Sequence, residues 1–500
     1  MNIFWILTDS ICSYERNDKF SLLPTYKKLI ENEEGIFFNN VLTLFPSTAF
    51  SVLSMVTGKF PYQIFFDFLE NPPKEIKNKI MNESYFSILK KNGFNIYSYI
   101  CYDIGSNWFS DLTNTIINKE RYKDSYQLDG YELNEEFFKH FKEVDLDKNN
   151  VFFIHYRAGD KKMDEALRDL VNFFKKENVW NDSIFLINSD HGYRTFRESK
   201  NPLHFDDIHI ISLSPAVFLR IPKELNKKRG IINERIYLID LWETILDYLG
   251  IEVNYDRKAL SFRPILENNE KDFNKKRMVR GDAYLMFQPI KKSFIVMDDF
   301  KLEVVNNKVS LKRIITDKKD KKEEIIINNK NIEKKLYNYY LKIEKESEII
   351  FKNYVRILFY HSALKNIKNK KILLPNNQFP PLLVEVLKEE LEKNNKVFSD
   401  LRKINTNKNF DIAIFIFNRL TGYGISKLKK EIRKNNLRIK NFVYINTSLE
   451  KINKKEGYLN YVIENIKTKN KLLLKRPIDT IIWLIYFPIY LNMNLKRFYE

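Results

Sequence analysis

The sequence predicts an α/β fold: a doubly wound, mostly parallel sheet, then a small antiparallel sheet, then a C-terminal Rossmann-like α/β domain. Three observations carry that prediction. Short continuously apolar runs occur at 2–8 (NIFWILT), 150–156 (NVFFIHY) and 183–188 (SIFLIN), as strands buried on both faces require. Helical stretches alternate with them; in 163–176 the apolar residues Met163, Ala166, Leu167, Leu170, Val171 and Phe174 form one 3.6-residue stripe. Beyond about residue 277 the pattern changes to short hairpin strands, and near residue 370 a strand–helix–strand order resumes.

Taken in order, strand 2–8 delivers Asp9 to its C-terminal end, where open α/β sheets bind ligands. A helix over 22–32 has Pro24 in its first turn and is closed by Gly35; strand 36–38 follows. The stretch Phe45–Pro61 reads as an extended loop, a hydroxyl at Thr48, a short buried helix and a Thr57-Gly58 stop. Helix 83–91 is stopped by Gly93, and 94–101 alternates as a strand. Strand 183–188 runs into Ser189-Asp190-His191-Gly192; a strand over 215–221 and a helix over 237–249, ended by Gly250, follow. Hairpin strands are predicted at 284–290, 293–297, 301–305 and 309–315, with turns at Asp298-Asp299 and Asn306-Asn307. Residues 318–335 are charged and expected to be mobile, and 338–365 reads helical.

The last unit has strands at 371–374, 411–417 (DIAIFIF) and 441–445 and helices at 382–394 and 425–435. Its Thr421-Gly422-Tyr423-Gly424 turn is either a tight βα connection or a nucleotide contact. The tail 481–491 (IIWLIYFPIYL), interrupted by Pro488, is too short to span a bilayer; a core helix and an interfacial anchor both fit it. The expected organisation is a catalytic domain over 1–276, an antiparallel sheet completing it over 277–317, a charged helical linker over 318–369 and a basic domain with an apolar tail over 370–500.

A chain of 500 residues with 44% hydrophobic and 14% aromatic residues buries sizeable cores, which excludes disordered and collagen-like classes. Two cysteines, Cys12 and Cys101, make no disulfide framework and fit a reducing compartment. The first residues lack a basic leader and a long apolar core, so a first strand and a cytoplasmic protein are expected. Residues 361–500 hold 28 Lys and Arg against 12 Asp and Glu, most of the formal charge of +19. That surplus fits an anionic partner, a peripheral site on the inner membrane face or a phosphorylated substrate, with solvated surface helices as the alternative and no specific nucleic-acid signature.

Alone, Thr48 or Ser47 is an ordinary N-cap, and Asp9 and Asp190-His191-Gly192 are ordinary loop residues. Together at strand ends, two carboxylates, an imidazole and a hydroxyl are the donor set for a divalent cation that also activates the hydroxyl. A threonine alcohol is a poor nucleophile at neutral pH until a cation stabilises its alkoxide.

These segments resemble the alkaline phosphatase superfamily, in particular its sulfatase-like branch. NIFWILTDS resembles the first strand with its metal-binding Asp; LLPTYKKLIENEEGIFFNNV resembles the next helix–strand segment; FPSTAFSVLSMVTGKFP resembles the nucleophile helix with its closing Thr-Gly-x-x-Pro. SYFSILKKNGFNIYSYI, SDHG, IYLIDLWETILDYLGIE and ALSFRPIL follow in the family's order, over about 300 residues. The resemblance implies Thr48 as nucleophile, Asp9, Thr48, Asp190 and His191 as metal ligands, and one divalent ion (Mn²⁺, Zn²⁺, Mg²⁺ or Ca²⁺) in preference to two.

Departures from the family pattern shape the expected function. Sulfatases of this branch place a Cys or Ser, converted to formylglycine within Cys/Ser-x-Pro-x-Arg, where this chain has Thr48-Ala49-Phe50-Ser51-Val52. Thr at this position resembles the phosphodiesterases and the phosphoglycerol or phosphoethanolamine transferases of the superfamily. Ser10 replaces the second Asp of the family's Asp-Asp pair. Asp160 stands where relatives carry a metal- or substrate-binding His; His204, Lys200 and His155 are further substrate-binding candidates. The expected activity is phosphoryl transfer or hydrolysis of phosphate mono- or diesters through a phospho-threonine, on a phosphorylated or sulfated small molecule, glycan or lipid. Sulfate- or phosphonate-ester hydrolysis and a non-catalytic scaffold are the alternatives.

Overall fold

A computed structural model describes residues 1–13, 23–64, 78, 81–100, 115–117, 130–156, 161–192, 208–268, 273–284, 291–305, 307–316, 322–374, 381–399, 409–417, 432 and 437–446. Its chain divides into two compact units, Met1–Phe66 with Lys77–Glu344, and Asp67–Ile76 with Lys345–Glu500.

The first unit opens with β1 (Asn2–Thr8), α1 (Pro24–Glu31), β2 (Ile36–Phe38), β3 (Val41–Leu42), α2 (Thr48–Thr57) and α3 (Pro61–Ile64). Next come α4 (Tyr85–Lys91), β4 (Asn95–Ile100), β5 (Thr115–Ile117), α5 (Gly130–Phe141), β6 (Asn150–Tyr156), α6 (Lys161–Lys176) and β7 (Ile184–Ser189). The sheet is completed by β8 (Val217–Arg220) and β9 (Gly230–Ile232), and β10 (Ile236–Tyr237) leads to α7 (Asp240–Tyr248) and α8 (Arg263–Asn268).

Eight strands form the main sheet in the order β5-β4-β6-β1-β7-β8-β2-β9, while β10 and β3 pair separately. Strands β5, β4, β6, β1 and β7 are parallel, and β8 runs antiparallel to β7 and β2, as a mostly parallel sheet allows. Period-2 alternation splits the central strands between two apolar layers. Phe4 and Ile6 face Phe137, Phe141, Leu170 and Phe174 of α5 and α6. Trp5 faces the other way, against Phe86 of α4, Phe153 and Trp242 of α7. Phe4 is stacked between Phe152 and Phe185 at ring distances of 4.8 and 4.7 Å; truncating it to Ala would cost about 3–5 kcal/mol.

Register sets up the site. Thr8 is level with Tyr156 on β6 and with Ser189 on β7, so the residues leaving β1 and β7 emerge side by side.

The five-stranded antiparallel sheet consists of β11 (Val279–Tyr284), β12 (Lys291–Met297), β13 (Phe300–Val305), β14 (Lys308–Thr316) and β15 (Lys322–Ile326), in that order. Two expectations change here. Residues 279–284 form a strand that was not expected, because its inward face carries Arg280 and Asp282, a fully buried ion pair that a polar pattern disguises; the strand expected over 284–290 lies, past Tyr284, outside the described residues. Residues 322–326, expected to be mobile, pair with β14, since Glu324 closes a buried network with Lys301 and Lys312. Helix α9 (Lys330–His361) accordingly begins at 330, not 338.

In the second unit β16 (Lys371–Leu373), α10 (Pro381–Glu392), β17 (Lys396–Phe398), β18 (Asn409–Phe417) and β19 (Arg438–Asn446) form a parallel sheet in the order β17-β16-β18-β19. Lys352 and Arg356 of α9 pair with Glu385 and Glu389 of α10. The Gly422–Gly424 turn, helix 425–435 (apart from Ile432) and tail 481–491 lie outside the described residues. Among the described residues no helix is long and apolar enough to cross a membrane.

Candidate metal centre and nucleophile

Asp9 leaves β1 and Asp190-His191 leave β7, and one ligand atom from each of the three lies within 4.8 Å of the others. His191 Nε2 is 3.4 Å from Asp190 Oδ2 and 3.7 Å from Asp9 Oδ1. The imidazole and the Asp190 carboxyl are almost completely buried. Each ring and carboxylate is held by one side. Asp190 Oδ1 accepts from the backbone N–H groups of Ser10 (3.1 Å) and His191 (2.9 Å), and His191 Nδ1 lies 2.8 Å from the Gly192 carbonyl, which makes it the protonated nitrogen. Asp190 Oδ2 and His191 Nε2 are left buried without a hydrogen bond. Buried acceptors without donors are costly, and two of them facing one carboxylate fit a divalent cation.

Electrostatics points the same way. Burial pushes the Asp190 carboxyl above its usual range and Asp9 adds to it, against His191, the Thr48 hydroxyl and the Ser10 N–H. A cation at this place would reverse that balance.

Thr48 is the first residue of α2, and Ser47 occupies the N-cap position without a side-chain cap bond. The capping duty that the sequence left open therefore does not engage Ser47. The Thr48 hydroxyl comes close enough to Asp190 to lower its pKa. Ser51, one turn on, ties the helix to β7 by donating to the Asp190 carbonyl at 2.6 Å. Its Oγ also lies 2.9 Å from the Thr43 hydroxyl.

Gly192 is required by a close approach: a Cβ there would run into the Ile211 carbonyl oxygen. Its N–H donates to Ser212 at 2.9 Å, and Lys301 holds the same segment through the Ile208 carbonyl. Lys301, Glu303, Lys312 and Glu324 form the network behind it.

Of the predicted site residues, Asp9, Asp190 and His191 are brought together and Thr48 stands beside Asp190. His155 is inside the sheet, opposite Leu7, with no exposure, and burial lowers its pKa to about 4 against the pull of Asp9. A substrate contact there is not what the packing offers. Asp160, Lys200 and His204 lie outside the described residues. Sequence reasoning missed the roles of Thr43, Ser51 and Lys301; a Ser one turn after the hydroxyl, on the same helix face, was the one available signal.

No protein-family model and no curated protein matches the sequence. Solved structures do. The chain is similar to Ps i-CgsB in complex with k-i-k-neocarrahexaose, with a TM-score of 0.53 and 15% identity over 69% of this chain and 92% of that one. It is similar to BT4656 in complex with its substrate D-glucosamine-2-N,6-O-disulfate, with a TM-score of 0.51 and 13% identity over 70% of this chain and 98% of the other. A third, BT1596, a 2-O GAG sulfatase, has a TM-score of 0.51 and 10% identity over 71% and 93%.

Proposed function

We propose that this chain, which has the fold of the alkaline phosphatase superfamily in its sulfatase-like form, is a metal-dependent phosphoryl-group transferase or hydrolase with Thr48 as nucleophile. The observation that carries the reading is the pair of buried, unpartnered ligand atoms on Asp190 and His191, beside Asp9 and at the mouth of the helix that starts with Thr48.

Asp9, Asp190 and His191 would hold one divalent cation. Bound there, such an ion supplies Lewis acidity, favouring the ionised nucleophile and neutralising charge on the transferring group. The remaining work falls to the protein. Thr48 Oγ forms a bond to phosphorus as the P–O bond to the leaving alcohol breaks; the electron pair goes to that alcohol oxygen, and the proton displaced from Thr48 ends on it. Water or an acceptor alcohol then takes the phosphoryl group and restores the hydroxyl. Backbone N–H groups in the first turn of α2 and the helix dipole face the developing negative charge. Ser51 keeps the helix in register with β7.

The substrate is a phosphorylated glycan or lipid, such as a cell-envelope component. The basic surplus of 361–500 supports an anionic substrate or membrane surface on the cytoplasmic side. A second reading, sulfate-ester hydrolysis, is favoured by BT1596 being a 2-O GAG sulfatase by name and BT4656 having D-glucosamine-2-N,6-O-disulfate as its substrate. Thr48 in place of a formylglycine precursor supports phosphoryl chemistry instead.

Purified protein supplied with Mn²⁺, Zn²⁺ or Mg²⁺ is to be assayed on aryl phosphate monoesters, phosphodiesters and sulfate esters beside Thr48→Ala and Asp190→Ala. Phosphoester turnover lost in both variants is expected. Equal turnover by Thr48→Ala would sink the nucleophile assignment, and turnover of the sulfate ester alone would favour the second reading.

A further inference from the structure

We infer that Ser10 is a positioning residue that holds the side chains of Asp9, Asp190 and His191 in the orientation a cation would need; this rests on the metal-centre reading above. Ser10 follows Asp9 directly and takes the left-handed backbone conformation, with φ of 62°. Glycine adopts that conformation freely and serine rarely. The turn gives Ser10 contact with all three ligands at once. Its N–H donates to Asp190 Oδ1 at 3.1 Å, its hydroxyl donates to Asp9 Oδ1 at 2.7 Å, and its Oγ is 3.4 Å from His191 Nδ1.

The consequence follows atom by atom. With Oδ1 of Asp190 occupied by the Ser10 and His191 N–H groups, Oδ2 is the oxygen without a partner. With Nδ1 of His191 engaged by the Gly192 carbonyl and flanked by Ser10 Oγ, Nε2 is the nitrogen left to the site. The bond to Asp9 Oδ1 sets the rotation of the third ligand. A neutral hydroxyl does this without adding a third carboxylate to a buried cluster, where like charges repel. Outer contacts of this kind orient first-layer ligands and tune affinity.

Replacing Ser10 by glycine separates positioning from folding. Ser10→Gly keeps the backbone N–H, relieves the left-handed serine and removes only the hydroxyl. The metal-free variant, prepared with a chelator, is expected to melt at or above the temperature of the wild-type protein. Its affinity for Mn²⁺, read from the free-ion electron paramagnetic resonance signal, is expected to be about 10- to 100-fold weaker. Wild-type protein that binds no Mn²⁺ overturns both the metal-centre reading and this inference. Mn²⁺ binding by wild type and variant alike overturns the role of Ser10 alone. A variant that melts well below wild type shows the hydroxyl to be structural, and also overturns it.

Discussion

His155→Gln is expected to remove much of the acid sensitivity of the metal-free protein. His155 is fully buried beside Phe153, and burial holds its pKa down to about 4 from 6.5, although the Asp9 charge pulls it up. The unfolded chain takes up a proton near pH 6.5 that the folded chain refuses until about pH 4. The stability contribution is therefore complete above the unfolded pKa and is lost as the pH falls between the two. By linkage the full drop is worth roughly 3 kcal/mol, and roughly 2.5 kcal/mol of it is spent by pH 4.5. Glutamine carries no titrating proton, so each protein is compared with itself at pH 7 and pH 4.5. The assay is urea unfolding with a chelator present, followed by the fluorescence of the buried Trp5 and Trp242. Wild type should lose more stability between the two pH values than His155→Gln, by about 2–3 kcal/mol. Equal losses would refute the reasoning and return His155 to a solvent-facing position.

Gly192→Ala forces a Cβ against the Ile211 carbonyl, a backbone atom that cannot swing aside; a loss of about 3 kcal/mol in thermal unfolding is expected, together with weaker Mn²⁺ binding. Burial raises the Glu324 carboxyl, but Lys301, His209 and Lys312 outweigh it and hold it below its usual range. Their contribution is present above pH 4.5 and fades as the pH falls further. Lys301→Met should cost about 3–5 kcal/mol at pH 7 in urea unfolding, with a shallower acid loss below pH 4.5. Ser51→Ala strips the Asp190 carbonyl of its donor and should cost about 1–3 kcal/mol in the same assay.

The main sheet was legible because its strands are uniformly apolar and end in polar residues; Asp9 and Asp190 stand together since β1 and β7 are neighbours with Thr8 level with Ser189. Strand β11 was not anticipated because Arg280 and Asp282 pair with each other inside the protein, a pairing that no local pattern records. Strand β15 escaped for the same reason: Glu324 has two lysines waiting for it on β13 and β14. Helix α5 was not anticipated, although Leu133, Phe137 and Phe141 mark its buried stripe. In the site, the ligand types were readable from the chain, whereas the left-handed Ser10 and the Ser51 tie exist only once the strand ends meet.

The central claim is that Thr48 carries the transferred group. Protein loaded with Mn²⁺ is mixed with a labelled aryl phosphate, quenched in acid during turnover, and digested for peptide mass spectrometry. One phosphoryl group on Thr48, absent from Thr48→Ala, is the predicted result. Turnover of the same ester with Thr48 unmodified at every quench time, or unaffected by Thr48→Ala, would contradict it.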